Sequence, residues 1–230
     1  MHRPAKAKAA GGSDRMFRRI LHELRVHAPF TFLGTVVGVA VAAGFVYGGV
    51  PERVSETFFW TFHPLHVLFS AIVTASLFRL HSRRGALAVL LVGYVGAVGV
   101  GTLSDSLIPL LGEVLIGLHD PHVHGHAHIG FIEMWWLVNP LALIGVAVGF
   151  FRPATKLPHA AHVLLSTAAS LFHMVMAIHT GHVAPLTIVL VPVFLFLAVW
   201  IPCCTSDIVF PLLFCKDARD GLACRHDHSH

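Results

Sequence analysis

The stretch Phe58-Phe-Trp-Thr-Phe-His63-Pro-Leu-His66-Val-Leu-Phe-Ser70-Ala-Ile-Val-Thr74-Ala-Ser-Leu-Phe-Arg-Leu80 decides the fold class. About 20 apolar residues in a helix are enough to cross a hydrocarbon core of about 30 Å, and this run is that long. Six such runs occur: Phe30–Val50, Phe58–Leu80, Ala86–Leu111, Phe131–Phe151, Ala160–Thr180 and Ala184–Ile201. The 230-residue chain is 55% apolar and only 12% charged, with a mean hydropathy of +0.73. So few charges cannot coat a soluble domain of this size, so the sequence predicts an all-α membrane protein with six transmembrane helices. The net charge of +4 carries no nucleic-acid motif with it, and nucleic acid is not an expected partner. The bilayer is.

Orientation follows from the basic residues, which collect on the cytoplasmic side. Seven Lys and Arg precede the first run. Arg79, Arg83 and Arg84 follow the second, Arg152 and Lys156 the fourth, and Lys216, Arg219 and Arg225 lie in the tail. The other connections hold only Arg53, so 15 of 16 fall on one side. Both termini are therefore expected in the cytoplasm, in a multi-pass protein of the plasma (inner) membrane. An odd number of crossings would break the pattern.

The chain then divides into a basic segment 1–29, spans 1–3 over 30–111, an extracytoplasmic His-rich loop over 112–130, spans 4–6 over 131–201 and a Cys/His-containing tail over 202–230. The first 13 residues read as disordered, and residues 15–28 as an amphipathic helix lying in the interface. In the tail, Ile208–Phe214 is apolar but too short to cross. The first apolar run is long enough to span, so no cleaved signal peptide is expected. Span 3 contains Asp105 and Pro109 and is expected to tilt or break near its end. Asn139-Pro140 and Pro192 are expected to kink spans 4 and 6. Glycine spacings (Gly34 with Gly38, Gly44 with Gly48, Gly145 with Gly149, and Gly93, Gly96 and Gly99) read as close-packing surfaces between helices.

Working outward from the opening stretch, His63-Pro-Leu-His66-Val-Leu-Phe-Ser70-Ala-Ile-Val-Thr74 has a counterpart in His159-Ala-Ala-His162-Val-Leu-Leu-Ser166-Thr-Ala-Ala-Ser170, 96 residues on. The same offset lays span 1 on span 4 and span 3 on span 6. Three spans are an odd number, so the two halves would insert in opposite senses. A 3+3 inverted repeat of this kind is a common transporter architecture. It places His63 and His66 toward the outer surface and His159 and His162 toward the inner one. At 100° per residue, His63, His66, Ser70 and Thr74 share a stripe about 80° wide. His159, His162, Ser166, Ser170 and His173 form its equivalent. Such stripes avoid lipid and should line the bundle interior, although Ser and Thr can equally bond back to their own helices.

Histidines number 19 against 16 Lys plus Arg. The connection His119-Asp120-Pro-His122-Val-His124-Gly-His126-Ala-His128 has five histidines in ten residues and no basic residue. Neutral imidazoles suit zinc, copper, nickel or iron; a solvated, pH-responsive loop is the plainer reading. Below it, His63, His66 and His173 with Asp105 or Glu133 could form a compact site, with His179 and His182 at the outer end of span 5. Glu113 falls on the same side. Met174 and Met176 would favour Cu(I) if they were ligands, but methionine more often packs. On the inner side, His159 and His162 could receive an ion together with Cys203, Cys204 and Cys215. Acylation or burial of the cysteines is the alternative. Cytoplasmic cysteines are not expected to form structural disulfides.

These observations point to a membrane protein that binds a transition metal, and a metal-ion transporter for Zn, Cu or Ni accounts for most of them. His/Asp sites would lie at the outer face, and Ser70, Thr74, Ser166 and Ser170 would line the way along spans 2 and 5. A membrane-embedded metalloenzyme would use Asp105 or Glu133 as acid or base. A haem protein would hold iron between His63 or His66 and His173 or His179. The chain could assemble as a homo-oligomer or as a subunit of a membrane complex.

Overall fold

The computed structural model describes residues 5–82, 84–115, 117, 128–154, 156–179, 185–204 and 210–214. Among these every regular element is a helix, with no strand. The elements are α1 (Ala5–Tyr47), α2 (Glu52–His81), α3 (Ala86–Thr102), a π-turn (Leu103–Leu107), α4 (Ile108–Leu115), α5 (Gly130–Glu133), α6 (Trp135–Phe151), α7 (Lys156–His179), α8 (Pro185–Cys204) and α9 (Phe210–Leu213). Glu52–His81, Ala86–Leu115 and Leu157–Ala177 are long and apolar enough to cross a membrane. Thr31–Tyr47, Trp135–Phe151 and Leu190–Cys203 are shorter apolar helical stretches. All six coincide with the runs read from the sequence.

The N-terminal segment departs from expectation. Residues 5–13 are helical rather than disordered, and α1 continues through Pro29 without a break, so the stretch 15–28 is one with the first apolar helix. The Ala, Leu, Arg and Lys of this segment favour helix, and neither Gly11-Gly12 nor Pro29 ends it. Its end is well defined. Val50 N–H bonds to Phe45 O at 3.0 Å and Gly49 N–H to Val46 O at 3.3 Å, a Schellman cap. That cap needs a left-handed residue, which Gly49 supplies at φ +63°.

Pro109 explains the π-turn. Lacking an N–H, it cannot satisfy the carbonyl of Asp105 in a regular helix, and its ring would press on that carbonyl. The chain widens instead: Ile108 N–H reaches back to Leu103 O. The expected break in span 3 is therefore a widened turn inside a continuous helix. It frees Ser104 O, which accepts a bond from Ser170 Oγ at 2.9 Å.

Packing is organised around α2 and α7, which lie antiparallel. Phe59 meets His173 near one end and His66 meets His162 farther along. α3 and α6 flank α2, while α1 and α8 flank α7. Each flank has its own apolar core: Val67, Ala71, Phe78, Val89, Ala97 and Val146 in one, and Ala42, Leu171, Met174, Val175, Val191 and Leu195 in the other. The interior between them is polar. The exterior is greasy, with Phe32, Leu33, Val36 and Val37 on α1, Leu87, Leu91 and Val95 on α3, and Leu143 and Ile144 on α6 all exposed. Burying the polar groups and exposing the aliphatic ones reverses the soluble arrangement and suits an apolar surrounding.

The glycines sort by contact. A Cβ on Gly149 would sit 2.6 Å from Ile72 O, and one on Gly145 would collide with Leu68 O, so α6 lies backbone to backbone on α2. Gly93 and Gly96 are similarly closed in, whereas Gly44 and Gly99 face open space and Gly34 and Gly38 have only ordinary contacts.

Candidate metal centre

Both polar stripes are buried. His63, His66, Ser70 and Thr74 on α2 and His162, Ser166, Ser170 and His173 on α7 all lie inside the bundle, and His159 is half-buried. Helical spacing makes each set one line, and antiparallel packing turns the two lines toward each other.

Asp105, fully buried at the π-turn, joins them. Its Oδ2 accepts from His63 Nδ1 at 2.9 Å and from His66 Nδ1 at 2.6 Å. Its Oδ1 accepts from Ser104 Oγ at 2.7 Å and from Ser166 Oγ at 3.1 Å. Four donors from three elements satisfy both oxygens, the condition on which a buried carboxylate is tolerable. Ser166 Oγ accepts in turn from Cys203 Sγ at 3.4 Å.

His66 is the hinge of the arrangement. With Nδ1 on Asp105, its Nε2 is buried with no hydrogen-bond partner among the described residues. The imidazole of His162 meets it edge-on, ring centroids 4.6 Å apart. Two groups of ligand-type side chains have their donor atoms within 4.8 Å of one another: His63, His66 and Asp105, and His66, His162 and Cys203. All are buried. Here the structure corrects the sequence reading. The two histidine pairs do not stand at opposite surfaces, because α2 and α7 overlap far enough for His66 and His162 to touch. Cys203 also does not follow the helix; α8 runs on to Cys204 and carries Cys203 into the core.

Toward the N-terminal end of α2 lies a second constellation. His173 Nδ1 donates to Glu113 Oε1 at 2.8 Å, with both side chains buried. His128 Nδ1 donates to Glu133 Oε2 at 3.1 Å, and Ile129 N–H to Glu133 Oε1 at 2.9 Å. Ser106 Oγ, on the π-turn, bonds to His128 O. The rings of His128 and His173 are 5.7 Å apart. Fully buried Phe59 contacts both, at 5.9 and 5.4 Å, and stacks on His63 at 5.5 Å.

The expected grouping of His63 and His66 with Asp105 is therefore present, but His173 and Glu133 are not part of it. His173 belongs with Glu113, and Glu133 with His128. Met174 packs in the core of α1, α7 and α8, and Met176 beside Phe59 and Phe172, so both are packing residues. His119, Asp120, His122, His124, His126, His182 and Cys215 lie outside the described residues; His179 and Cys204 are described only in their helical backbone. The sequence does not mark out Ser104, and it leaves Glu113 on the outer side without a partner. A serine preceding an intramembrane aspartate, and a glutamate eight residues beyond it, were the available signals.

No protein-family model matches the chain, and neither the curated proteins nor the solved structures contain a match.

Proposed function

We propose that this chain binds a transition-metal ion inside its helical bundle and carries it across the bilayer, as a multi-pass protein of the plasma (inner) membrane. The observation that carries this reading is the state of His66: one ring nitrogen held by a buried carboxylate, the other buried, unpartnered and beside His162 and Cys203. Metal-ligating histidines characteristically have the second nitrogen anchored by a carboxylate, which orients the ring and raises its basicity. Two imidazoles and a thiolate suit Zn or Cu, and accommodate Ni. Asp105 and His63 then stand behind the site, with Ser166 linking Asp105 to Cys203.

Several features support carriage rather than storage or catalysis. His66, Asp105 and His162 are fully buried, leaving a place suited to an ion more than to an organic substrate. Ser70 and Thr74 continue the stripe on α2 and have buried hydroxyls without hydrogen-bond partners among the described residues. The packing pattern also survives exchange of the two halves. α1 lies on α7 and α8 as α6 lies on α2 and α3, and the touching pair His66 and His162 are equivalent positions of the repeat. This favours six crossings related by an inverted 3+3 repeat, whose two conformations would open the same site alternately to each side. Exposed Tyr47, Trp135 and Trp136 lie at the end where α1 finishes and α6 begins, as expected of an outer aromatic belt. Both termini are then cytoplasmic. A haem between His63 and His173 is disfavoured, because Phe59 fills the space between them.

The test pairs elemental analysis of purified protein without an affinity His tag with ion flux in liposomes. Stoichiometric Zn, Cu or Ni, and uptake reduced at least about tenfold by His66→Ala, are expected. Metal content and flux unchanged by His66→Ala would overturn the reading. Trimming 119–128 should weaken uptake only at low ion concentration.

A further inference from the structure

Four histidines in the half of the bundle nearer the start of α2 share one feature. His63 and His66 have Nδ1 on Asp105, His173 on Glu113 and His128 on Glu133. The last two pairs are separate from the central cluster and have no role in it. We infer that His173 and His128 form a second metal site, an antechamber for a borderline divalent cation, divided from the central site by the ring of Phe59. The inference rests on the reading of this chain as a metal transporter.

The geometry supports it in three ways. First, His173 Nε2 is buried and has no hydrogen-bond partner among the described residues, a desolvated lone pair aimed into the fold. Second, the spacing fits. A metal lies about 2.0–2.1 Å from an imidazole nitrogen, hence about 3.2 Å from the ring centre, and two tetrahedral imidazoles have centres about 5 Å apart. The His128–His173 distance of 5.7 Å is close to that. Third, each imidazole is backed by its own carboxylate on the far nitrogen, which fixes its orientation.

The donor sets of the two sites differ. The antechamber offers nitrogen ligands, with water completing the coordination, while the central site adds the Cys203 thiolate. An ion would therefore be held more loosely in the antechamber and more tightly at the centre. Phe59, in contact with His63, His128 and His173, is the wall between them.

Cobalt(II) distinguishes the sites, because only a thiolate ligand gives a sulfur-to-cobalt charge-transfer band. The full chain would be titrated with Co(II) alone, after the histidines at 119–126 and beyond residue 225 are changed to asparagine. Two equivalents are expected, one with the thiolate band and one without. His173→Gln and Glu113→Gln should each remove the thiolate-free equivalent and keep the other, and the retained band shows that the variant is folded. Only thiolate-linked cobalt in the parent protein would overturn the antechamber while leaving the central site standing. A thiolate-free equivalent indifferent to His173→Gln would also overturn it. The converse, thiolate-free cobalt lost with His173→Gln but no thiolate band at all, would uphold the antechamber and sink the central site.

Discussion

Asp105 is the residue on which the interior depends. It takes two imidazoles on one oxygen and two hydroxyls on the other, and lies fully buried. Asp105→Asn keeps the shape but removes the charge and introduces two amide protons facing groups that are themselves donors. Loss of a carboxylate behind a metal-ligating histidine typically costs 10–100-fold in affinity. Metal affinity of the variant, measured by competition with a chromophoric chelator, should fall by about that factor while the protein remains monodisperse. Gly130 is tied to the same point, because a Cβ there would run into the imidazole of His63. The importance of Asp105 was legible from a charge inside an apolar run. Its four donors were not, since they come from α2, α7 and its own widened turn.

At the scale of elements, helix identity was readable and helix depth was not. Hydropathy marks where a helix is apolar, but how far one slides along its neighbour depends on which side chains interlock. That is why the histidine pairs of α2 and α7, set apart on paper, come together at His66 and His162. Similarly, the apolar run of span 6 ends at Ile201 in the sequence, yet α8 continues through Pro202 to Cys204 and carries Cys203 into the bundle. That α6 approaches a neighbour backbone to backbone was legible, because Gly145 and Gly149 stand one turn apart; that the neighbour is α2 was not. Filling that contact should cost about 1–3 kcal/mol, with about 2–4 °C of Tm lost per kcal/mol in a chain of this length. Gly149→Leu is therefore expected to lower Tm measurably. Gly99→Leu, where nothing lies within 4 Å, should leave it unchanged.

At the scale of the whole molecule, the sidedness of charge and the exchange symmetry of the packing agree. In the proposed topology fifteen of 16 basic residues fall in the cytoplasmic segments of the sequence, and α1 packs on α7 and α8 as α6 packs on α2 and α3. Single cysteines introduced at Glu56 and Arg84, in a background with the four native cysteines replaced, should react with an impermeant maleimide from opposite sides. Glu56 should label in intact cells and Arg84 only after permeabilisation. Labelling of both from one side would remove the alternating topology and the inverted repeat with it.

The π-turn has a bearing on this larger arrangement. In a regular helix, positions 105 and 113 point about 80° apart; the residue absorbed at Leu103–Leu107 takes most of that angle back. A single irregular turn thus brings into phase two carboxylates that serve different rooms, Asp105 on His63 and His66, and Glu113 on His173. Were the turn to tighten into an ordinary helix, the two would go out of step together. The orientation of His173 and that of His63 and His66 are in this sense geared to one another through five residues of backbone.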